Sequence, residues 1–547
     1  MMSKSNSSVT YGSPSSRCYL MVTRNLSLIG IIALLLVFFF YGGSFLSKPT
    51  DYVDRSSTYN VKVFSSELTN SELEALPPSS FSFLAMIDAG SSGCRVHVYR
   101  YGKLDKSSGP LFVLPKHTSK KVKPGLSSFA ETPEGAGPSL EGLVTFLKET
   151  IPEDTWEQTP IWLKATAGLR MLPEDKSVAI LNSVRDYLKH HSPFIFRPSY
   201  AKIISGKEEG AFGWIAFNYL KKLIGPKAVD GASFPYAVVE MGGASSQVTQ
   251  RMPDHYKKRI PEENHLGLQI ETQKFDFYTY SYLGYGAEQA REKLNGFLLS
   301  ADKADYAEAP VGDVLNDPCL NRGFVRDKST ARESVYEGAD TSLFNVHGSS
   351  GAELAPSKNM CYEIMKKFFS NEIPGASVLP VLQQPCNSKN KNANTPHSFG
   401  CIHQPSFVEE SANFLVFENF FYSSSAANVL PANHPAGELS STATANQAFP
   451  LVTSPLELKE AAEEVCRLSF DDLKVKYPRD GQPKDVATKL CFSLSYSAAF
   501  LLDGLHLSVD KAITVQKEVK GDEIEWALGA AYKEAADFLK IRYLKPT

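Results

Sequence analysis

Two similar α/β halves, each opened by the same kind of hairpin, are what this sequence predicts, and three patterns carry the prediction. Over 81–101, FSFLAMIDAGSSGCRVHVYRY runs from an apolar strand through a Gly/Ser breaker into an alternating strand. Over 235–250, PYAVVEMGGASSQVTQ repeats that grammar, with an acid closing the first strand. Between them, apolar residues recur at helical spacing over 137–149, 177–190 and 206–223. Strands alternating with helices define an α/β fold.

The remaining segments follow in order. Residues 26–46 (LSLIGIIALLLVFFFYGGSFL) carry no charge and, as a helix, would span roughly 30 Å, enough for a bilayer core. Lys4, Arg17 and Arg24 precede that run without an acid, whereas Lys48 and Arg55 are balanced by Asp51 and Asp54. The asymmetry places a cytosolic tail over 1–25, a transmembrane anchor over 26–46 and the rest of the chain across the membrane. A cleaved signal peptide is the competing reading; its apolar region runs only about 7–15 residues and ends at small residues. Residues 47–80, rich in Ser, Pro and charge, read as a stem. A first domain is expected over 81–235 and a second over 236–547, with the C-terminal helix free to return to the first. Residues 302–353 look disorderly, 388–397 and 423–447 read as loops, and 491–503 and 524–539 read as amphipathic helices.

Composition sets the limits. The 547 residues are 43% hydrophobic and 21% charged with a net charge of −3, a globular balance lacking the basic stripe that nucleic acid requires. A locally positive pocket would still admit a nucleotide. Of the eight cysteines, Cys18 precedes the anchor and Cys94 lies in the first Gly/Ser turn. Cys319, Cys361, Cys386, Cys401, Cys466 and Cys491 form an even set suited to three disulfides in an oxidising compartment, sequential pairing being the simplest scheme. No CxxC or nearby CxxH spacing points to zinc. The sequons at Asn6 and Asn25 fall before or at the edge of the anchor and say nothing for the topology.

The chemistry rests on the duplicated turn. Gly and Ser let several backbone N–H groups and hydroxyls converge on one anion. Asp88 and Glu240, each closing the strand before its turn, are placed to orient a water bound to a divalent cation, Ca²⁺ or Mg²⁺ with Mn²⁺ also possible. Two facing hairpins would grip a diphosphate from both sides.

Asp88-Ala-Gly-Ser-Ser-Gly-Cys-Arg95 resembles the first signature of the apyrase and nucleoside-diphosphatase family, which includes Golgi guanosine and uridine diphosphatases and ecto-nucleotidases. Lys164-Ala-Thr-Ala-Gly-Leu-Arg170, Ser205-Gly-Lys-Glu-Glu-Gly210 with Trp214, and Glu240-Met-Gly-Gly-Ala-Ser-Ser-Gln247 resemble the next three, in order. Leu494-Ser-Tyr with Trp526-Ala-Leu-Gly529 resembles the last; His403-Gln-Pro-Ser406 and Tyr280-Ser-Tyr-Leu-Gly-Tyr-Gly286 are also similar. Position 94 carries Cys where the family has Ser, adding an oxidisable thiol, and position 240 carries Glu where Asp is usual.

The resemblance implies an actin-like, ribonuclease-H-like two-domain ATPase fold with the nucleotide in the cleft. It implies a Golgi diphosphatase acting on GDP or UDP in support of glycosylation; a broad apyrase, a kinase of the same superfamily and a silent binding protein are the rivals. No Ser–His–Asp or Cys–His spacing is evident, so water attacks directly. Glu209 is the expected base, with Glu208 the fallback and an acidic first helical turn the bland reading of both. Thr166 is placed near the attacking water. Arg170 either positions phosphate or forms a structural ion pair. Ser91, Ser92, Gly93, Gly243, Ala244 and Ser245 are assigned to phosphate, Gln247 to the cation's water shell, and Phe421 to stacking on the base, against its reading as part of a core strand. Arg95 and Trp526 serve either the site or the scaffold.

Overall fold

A computed structural model describes residues 61–228, 234, 236–299, 312–326, 345–350, 359–370, 404, 408, 413–427, 451–477 and 485–543. Among the described residues no helix is long and apolar enough to cross a membrane; the 26–46 run lies outside them.

In the first half, β1 (Val63–Phe64), α1 (Asn70–Ala75), β2 (Ser82–Ala89), β3 (Cys94–Leu104), β4 (Leu111–Val113) and β5 (Thr118–Val122) come first. Then follow α2 (Glu141–Thr150), β6 (Ile161–Ala165), the short α3 (Ala167–Arg170), α4 (Glu174–His191), β7 (Ala201–Ile203) and α5 (Gly206–Leu220). The sheet runs β1-β3-β2-β6-β7, with β4 and β5 also on β3. Because β1 pairs with Lys103 and Leu104, and Leu73 of α1 joins the core beside Phe81 and Phe112, the fold opens at Val61. The stem expected over 47–80 is therefore shorter: burial of Leu73 recruits residues 61–80 into the domain.

The second half contains β8 (Tyr236–Met241), β9 (Ser245–Arg251), β10 (His265–Ile270), β11 (Gln273–Leu283) and α6 (Ala287–Leu299). After these come β12 (Val314–Asn321), β13 (Val325–Arg326), β14 (Asn345–Ser350), α7 (Met360–Ser370), β15 (Asn413–Glu418) and α8 (Asn419–Ala426). The chain continues through β16 (Leu451–Thr453), α9 (Pro455–Arg467), α10 (Phe470–Lys476) and α11 (Asp485–Ala499), which widens into a π turn over Phe500–Gly504. It ends with β17 (Ile513–Val515), β18 (Glu518–Val519), β19 (Asp522–Glu523) and α12 (Trp526–Tyr543). The second sheet runs β10-β11-β9-β8-β15-β17-β16.

The duplication extends to register. Asp88 pairs across its hairpin with Arg95, and Glu240 with Gln247. In each sheet the acid-bearing strand has its hairpin partner antiparallel on one side and a parallel strand, β6 or β15, on the other. The result is an actin-like α/β fold whose two sheets bring equivalent strand ends to one place.

Two helices join the halves. α5 packs on β8, β9 and β11, and α12 packs on α5 and on β2 and β4. That crossing is close because residue 529 is glycine: a Cβ there would lie 2.0 Å from the Phe212 carbonyl oxygen. Lys164, buried on β6, is tied to Glu534 of α12 by an ion pair.

Two sequence expectations change. Residues 302–353 include a small sheet, β12-β14-β13, braced by a disulfide from Cys319 to Cys361. Its Asn-, Asp- and Gly-containing strands lack the β-branched alternation that marks a strand. Cys466 bonds to Cys491, so two of the sequential pairs form, while Cys386 and Cys401 lie outside the described residues, as do 388–397. The expected excursion over 423–447 begins instead as the end of α8.

Candidate active site

The two Gly/Ser turns meet. A Cβ on Gly243 would lie 2.7 Å from Ser91 Oγ and 2.5 Å from Glu288 Oε2, so a larger residue there would have to push the ends of both side chains aside. Ser91 Oγ donates to Glu288 Oε2 at 3.2 Å. Around this junction lies a cavity of ≈ 190 Å³ whose wall includes Asp88, Ser91, Ser92, Gly93, Thr166, Glu209, Glu240, Gly243, Ala244 and Ser245. Ten of the twelve sequence-assigned residues thus face one space; Gln247 and Phe421 do not.

Glu208 and Glu209 part company at the start of α5. Ser205 caps the helix, and Glu208 closes a capping box by accepting from Ser205 N at 2.8 Å, with Lys202 Nζ also at 2.8 Å. Glu208 is therefore the first-turn acid that stabilises the helix. Glu209 turns inward and is 6% exposed. Its Oε2 accepts from Arg170 Nη2 at 2.7 Å and from Gln247 Nε2 at 3.2 Å. Arg170 also donates to the Ile204 carbonyl at 3.0 Å and to Ser245 Oγ at 3.1 Å. Arg170 consequently orients the carboxylate from behind; its fork is spent on protein acceptors.

Gln247 is likewise turned toward protein partners. Its amide nitrogen donates to Ser245 Oγ at 2.6 Å and Ser281 Oγ at 3.0 Å as well as to Glu209. It buttresses the Glu209 carboxylate from outside the cavity wall. Phe421 sits on α8, half-buried against the second-half core, with Lys517 Nζ 5.8 Å over its ring. The aromatic alternation breaks at Glu418, whose φ of 59° turns the strand into a helix, so the next ring, Tyr422, lines the cavity and is 51% exposed.

Acidic groups crowd the cavity wall. Among the described residues the wall carries six carboxyl groups (Asp88, Glu209, Glu240, Glu418, Glu523, Glu525) against three bases (Arg95, Lys121, Lys517), a formal balance of −3 were all of them ionised. The locally positive pocket expected from the sequence is absent from the protein's own charges. Burial, aided by the charge of Glu209, holds the Asp88 carboxyl well above the usual range; burial, Glu209 and Glu418 do the same for Glu240. Burial, with Glu525, pushes Glu418 up to about 7. Asp88 Oδ1 and Glu240 Oε2 are buried without a hydrogen-bond partner among the described residues. Such oxygens suit a hard divalent cation, which would screen the carboxylates and supply charge to phosphate oxygens.

Several site residues escaped the sequence reading. Glu418 ends β15, one register step past Phe417, which pairs with Glu240; its place at the carboxyl end of a parallel strand was the available signal. Glu525, before α12, pairs with Arg95 Nη1 at 2.7 Å, and Trp526 also reaches the cavity wall. Cys94, by contrast, is fully buried at the start of β3, and burial pushes its thiol up to about 12. It is a packing residue, and the oxidisable thiol expected at the turn is shielded.

The other familiar segments support the turns. The backbone N–H groups of Ala287 and Glu288 donate to the carbonyls of Gly242 and Gly243, each at 2.9 Å. Tyr496 Oη donates to the Tyr285 carbonyl at 2.9 Å.

An actin-like cleft with paired Gly/Ser turns, two unpartnered carboxylate oxygens and an oriented glutamate defines a phosphate-handling hydrolase. More particularly, the chain belongs to the GDA1/CD39 (nucleoside phosphatase) family, whose model matches residues 76–544. It is 28% identical over 466 residues to a guanosine-diphosphatase of Schizosaccharomyces pombe, spanning 82% of this chain and 73% of that one. A probable apyrase 5 of Arabidopsis thaliana is 30% identical over 475 residues, spanning 86% and 85%. Among solved structures, nucleoside triphosphate hydrolases from Neospora caninum superpose with a TM-score of 0.55 at 15% identity, covering 84% of this chain and 93% of that one, a likeness of fold.

Proposed function

We propose that this nucleoside phosphatase acts on nucleoside diphosphates, GDP and UDP foremost, releasing the monophosphate and orthophosphate by direct attack of water. One observation carries the reading: Glu209 is buried at the cavity wall, its carboxylate aimed by Arg170 and Gln247, beside two turns built for phosphate. Ser91, Ser92, Gly93, Gly243, Ala244 and Ser245 bind the terminal phosphoryl group, and Thr166 orients the attacking water. Glu209 takes the proton from that water as it attacks in line. Asp88 and Glu240 would hold Mg²⁺ or Ca²⁺, which would supply positive charge to the phosphate oxygens, a role consistent with their unpartnered oxygens. Tyr422 takes over base stacking from Phe421, because it is the ring exposed at the cavity.

The enzyme is placed in the Golgi membrane as a single-pass type II protein with its catalytic domain in the lumen, where it supports glycosylation. Supporting that placement are the charge asymmetry about 26–46 and the two disulfides, which need an oxidising compartment. Relatives named apyrase keep a second reading in view, a broad nucleotidase that also cleaves triphosphates. Phosphate release from GDP, UDP, ADP and ATP, each with Mg²⁺, Ca²⁺, Mn²⁺ or chelator, separates the two. Higher kcat/KM for GDP and UDP than for ATP supports the diphosphatase; equal values favour the apyrase, and no release from any nucleotide refutes both. Protease protection of the C-terminal epitope in intact microsomes tests the topology.

A further inference from the structure

Beside the phosphate turns, on the same wall of the cleft, three groups converge with too few hydrogens among them. His97 lies on β3, His117 immediately precedes β5, and Glu525 immediately precedes α12. His97 Nδ1 is 3.0 Å from His117 Nε2 and 3.0 Å from Glu525 Oε2; His117 Nε2 is 3.5 Å from that oxygen. His117 Nδ1 stands 3.0 Å from the Pro115 carbonyl, which only accepts, so this nitrogen carries the hydrogen and the neutral ring presents a bare Nε2. A single hydrogen on His97 Nδ1 then faces two acceptors, and the lone pairs of His117 Nε2 and Glu525 Oε2 face each other. Among the described residues Oε2 has no well-aligned hydrogen-bond donor, while the other carboxylate oxygen is committed to Arg95. Tyr99, buried with a hydroxyl that also lacks a partner, lies with its ring centroid 4.9 Å from that of His117.

We propose that His97, His117 and Glu525 form a site for one divalent transition-metal ion of the zinc class, distinct from the cation that serves phosphate. The spacing fits. Bonds of about 2.0–2.1 Å give coordination polyhedra with edges of roughly 3.0 Å when octahedral and about 3.4 Å when tetrahedral. The observed edges are 3.0, 3.0 and 3.5 Å. Two imidazoles and one carboxylate select zinc-class ions over Mg²⁺ and Ca²⁺, which prefer oxygen alone. The backbone carbonyl on His117 Nδ1 supplies the outer hydrogen bond that fixes a ligating imidazole. The ion would staple β3 and the β5 approach to the segment carrying Glu523, Ile524 and Trp526 into the cleft wall. Its role is to hold that wall, and it is independent of which nucleotide is cleaved.

The test uses the full-length chain in detergent, stripped with a chelator and returned to buffer with excess Mg²⁺, which occupies oxygen-lined sites. Titration with Co²⁺ is expected to give visible d–d bands that saturate at about one ion per chain and vanish on adding Zn²⁺. Zn²⁺ in excess should raise Tm by about 5 °C. His117→Ala and His117→Gln should each abolish the bands and the Tm gain while melting like the chelated parent. Absent bands on the parent chain, or equal zinc retention by the parent and a folded variant, would overturn the proposal. The parent spectrum decides the matter even where both variants fail to fold.

Discussion

Replacing Glu209 by Gln separates its chemical role from its structural one. The substitution keeps the side chain's size and one carbonyl oxygen, so Arg170 Nη2 still has an acceptor at the position now 2.7 Å away. Arg170 also keeps the Ile204 carbonyl and Ser245 Oγ, at 3.0 and 3.1 Å. What is lost is one charge-assisted hydrogen bond, a stability cost of about 1–2 kcal/mol. The catalytic loss is larger. Removing a positioned general base lowers the rate by roughly 10²–10⁴, equivalent to about 3–5 kcal/mol of barrier. Removing a negative charge from a wall with six carboxylates does not repel the nucleotide, so KM for GDP should change little. The assay is steady-state phosphate release from GDP with Mg²⁺, beside equilibrium binding of a fluorescent GDP analogue and a melting curve. A kcat within tenfold of the parent, with the fold intact, would refute the assignment of Glu209 as base. A loss confined to KM would make it a binding residue.

Three further outcomes are expected. Glu208→Ala should lose about 1 kcal/mol through its capping box yet retain parental turnover, the opposite pattern to Glu209→Gln, as chemical denaturation and the same phosphate assay will read. Gly529→Ala should destabilise by about 2 kcal/mol, because its Cβ would press on the Phe212 backbone at 2.0 Å; a denaturation midpoint equal to the parent's would contradict the close α5–α12 crossing. In chelator, stability should fall as pH rises: Asp88, Glu240 and Glu418 have folded-state values raised above their unfolded ones, so folding favours their protonated forms. That loss begins above the ordinary carboxylate range and continues through about 7 for Glu418. Mg²⁺ should therefore raise Tm more at pH 8 than at pH 5, and an equal gain at both would count against these carboxylates as its seat.

The hairpins were legible because an apolar strand, an acid and a Gly/Ser turn are contiguous, and because the pattern occurs twice. The helix over Gly206–Leu220 was legible from its periodicity and its Ser205–Glu208 cap. Which of two adjacent glutamates faces inward was not, since that depends on Arg170 arriving from α3 and Gln247 from β9. Glu418 and Glu525 join the cleft through parallel strand order and the return of α12, contacts with no local signature. That Tyr422 and not Phe421 lines the cavity was not legible, because one residue with positive φ exchanges a strand's period for a helix's. His97, His117 and Glu525 are too scattered along the chain for any metal-spacing pattern to find.

Both observed disulfides sit in the core beneath the second sheet, Cys319 to Cys361 and Cys466 to Cys491, while among the described residues the two Gly/Ser turns are sewn by no covalent stitch. A thiol reagent that opens these links leaves every reacting group chemically untouched. Inactivation by reductant would then follow the slackening of a scaffold, lagging behind the cleavage itself and sparing chains kept closed by bound nucleotide.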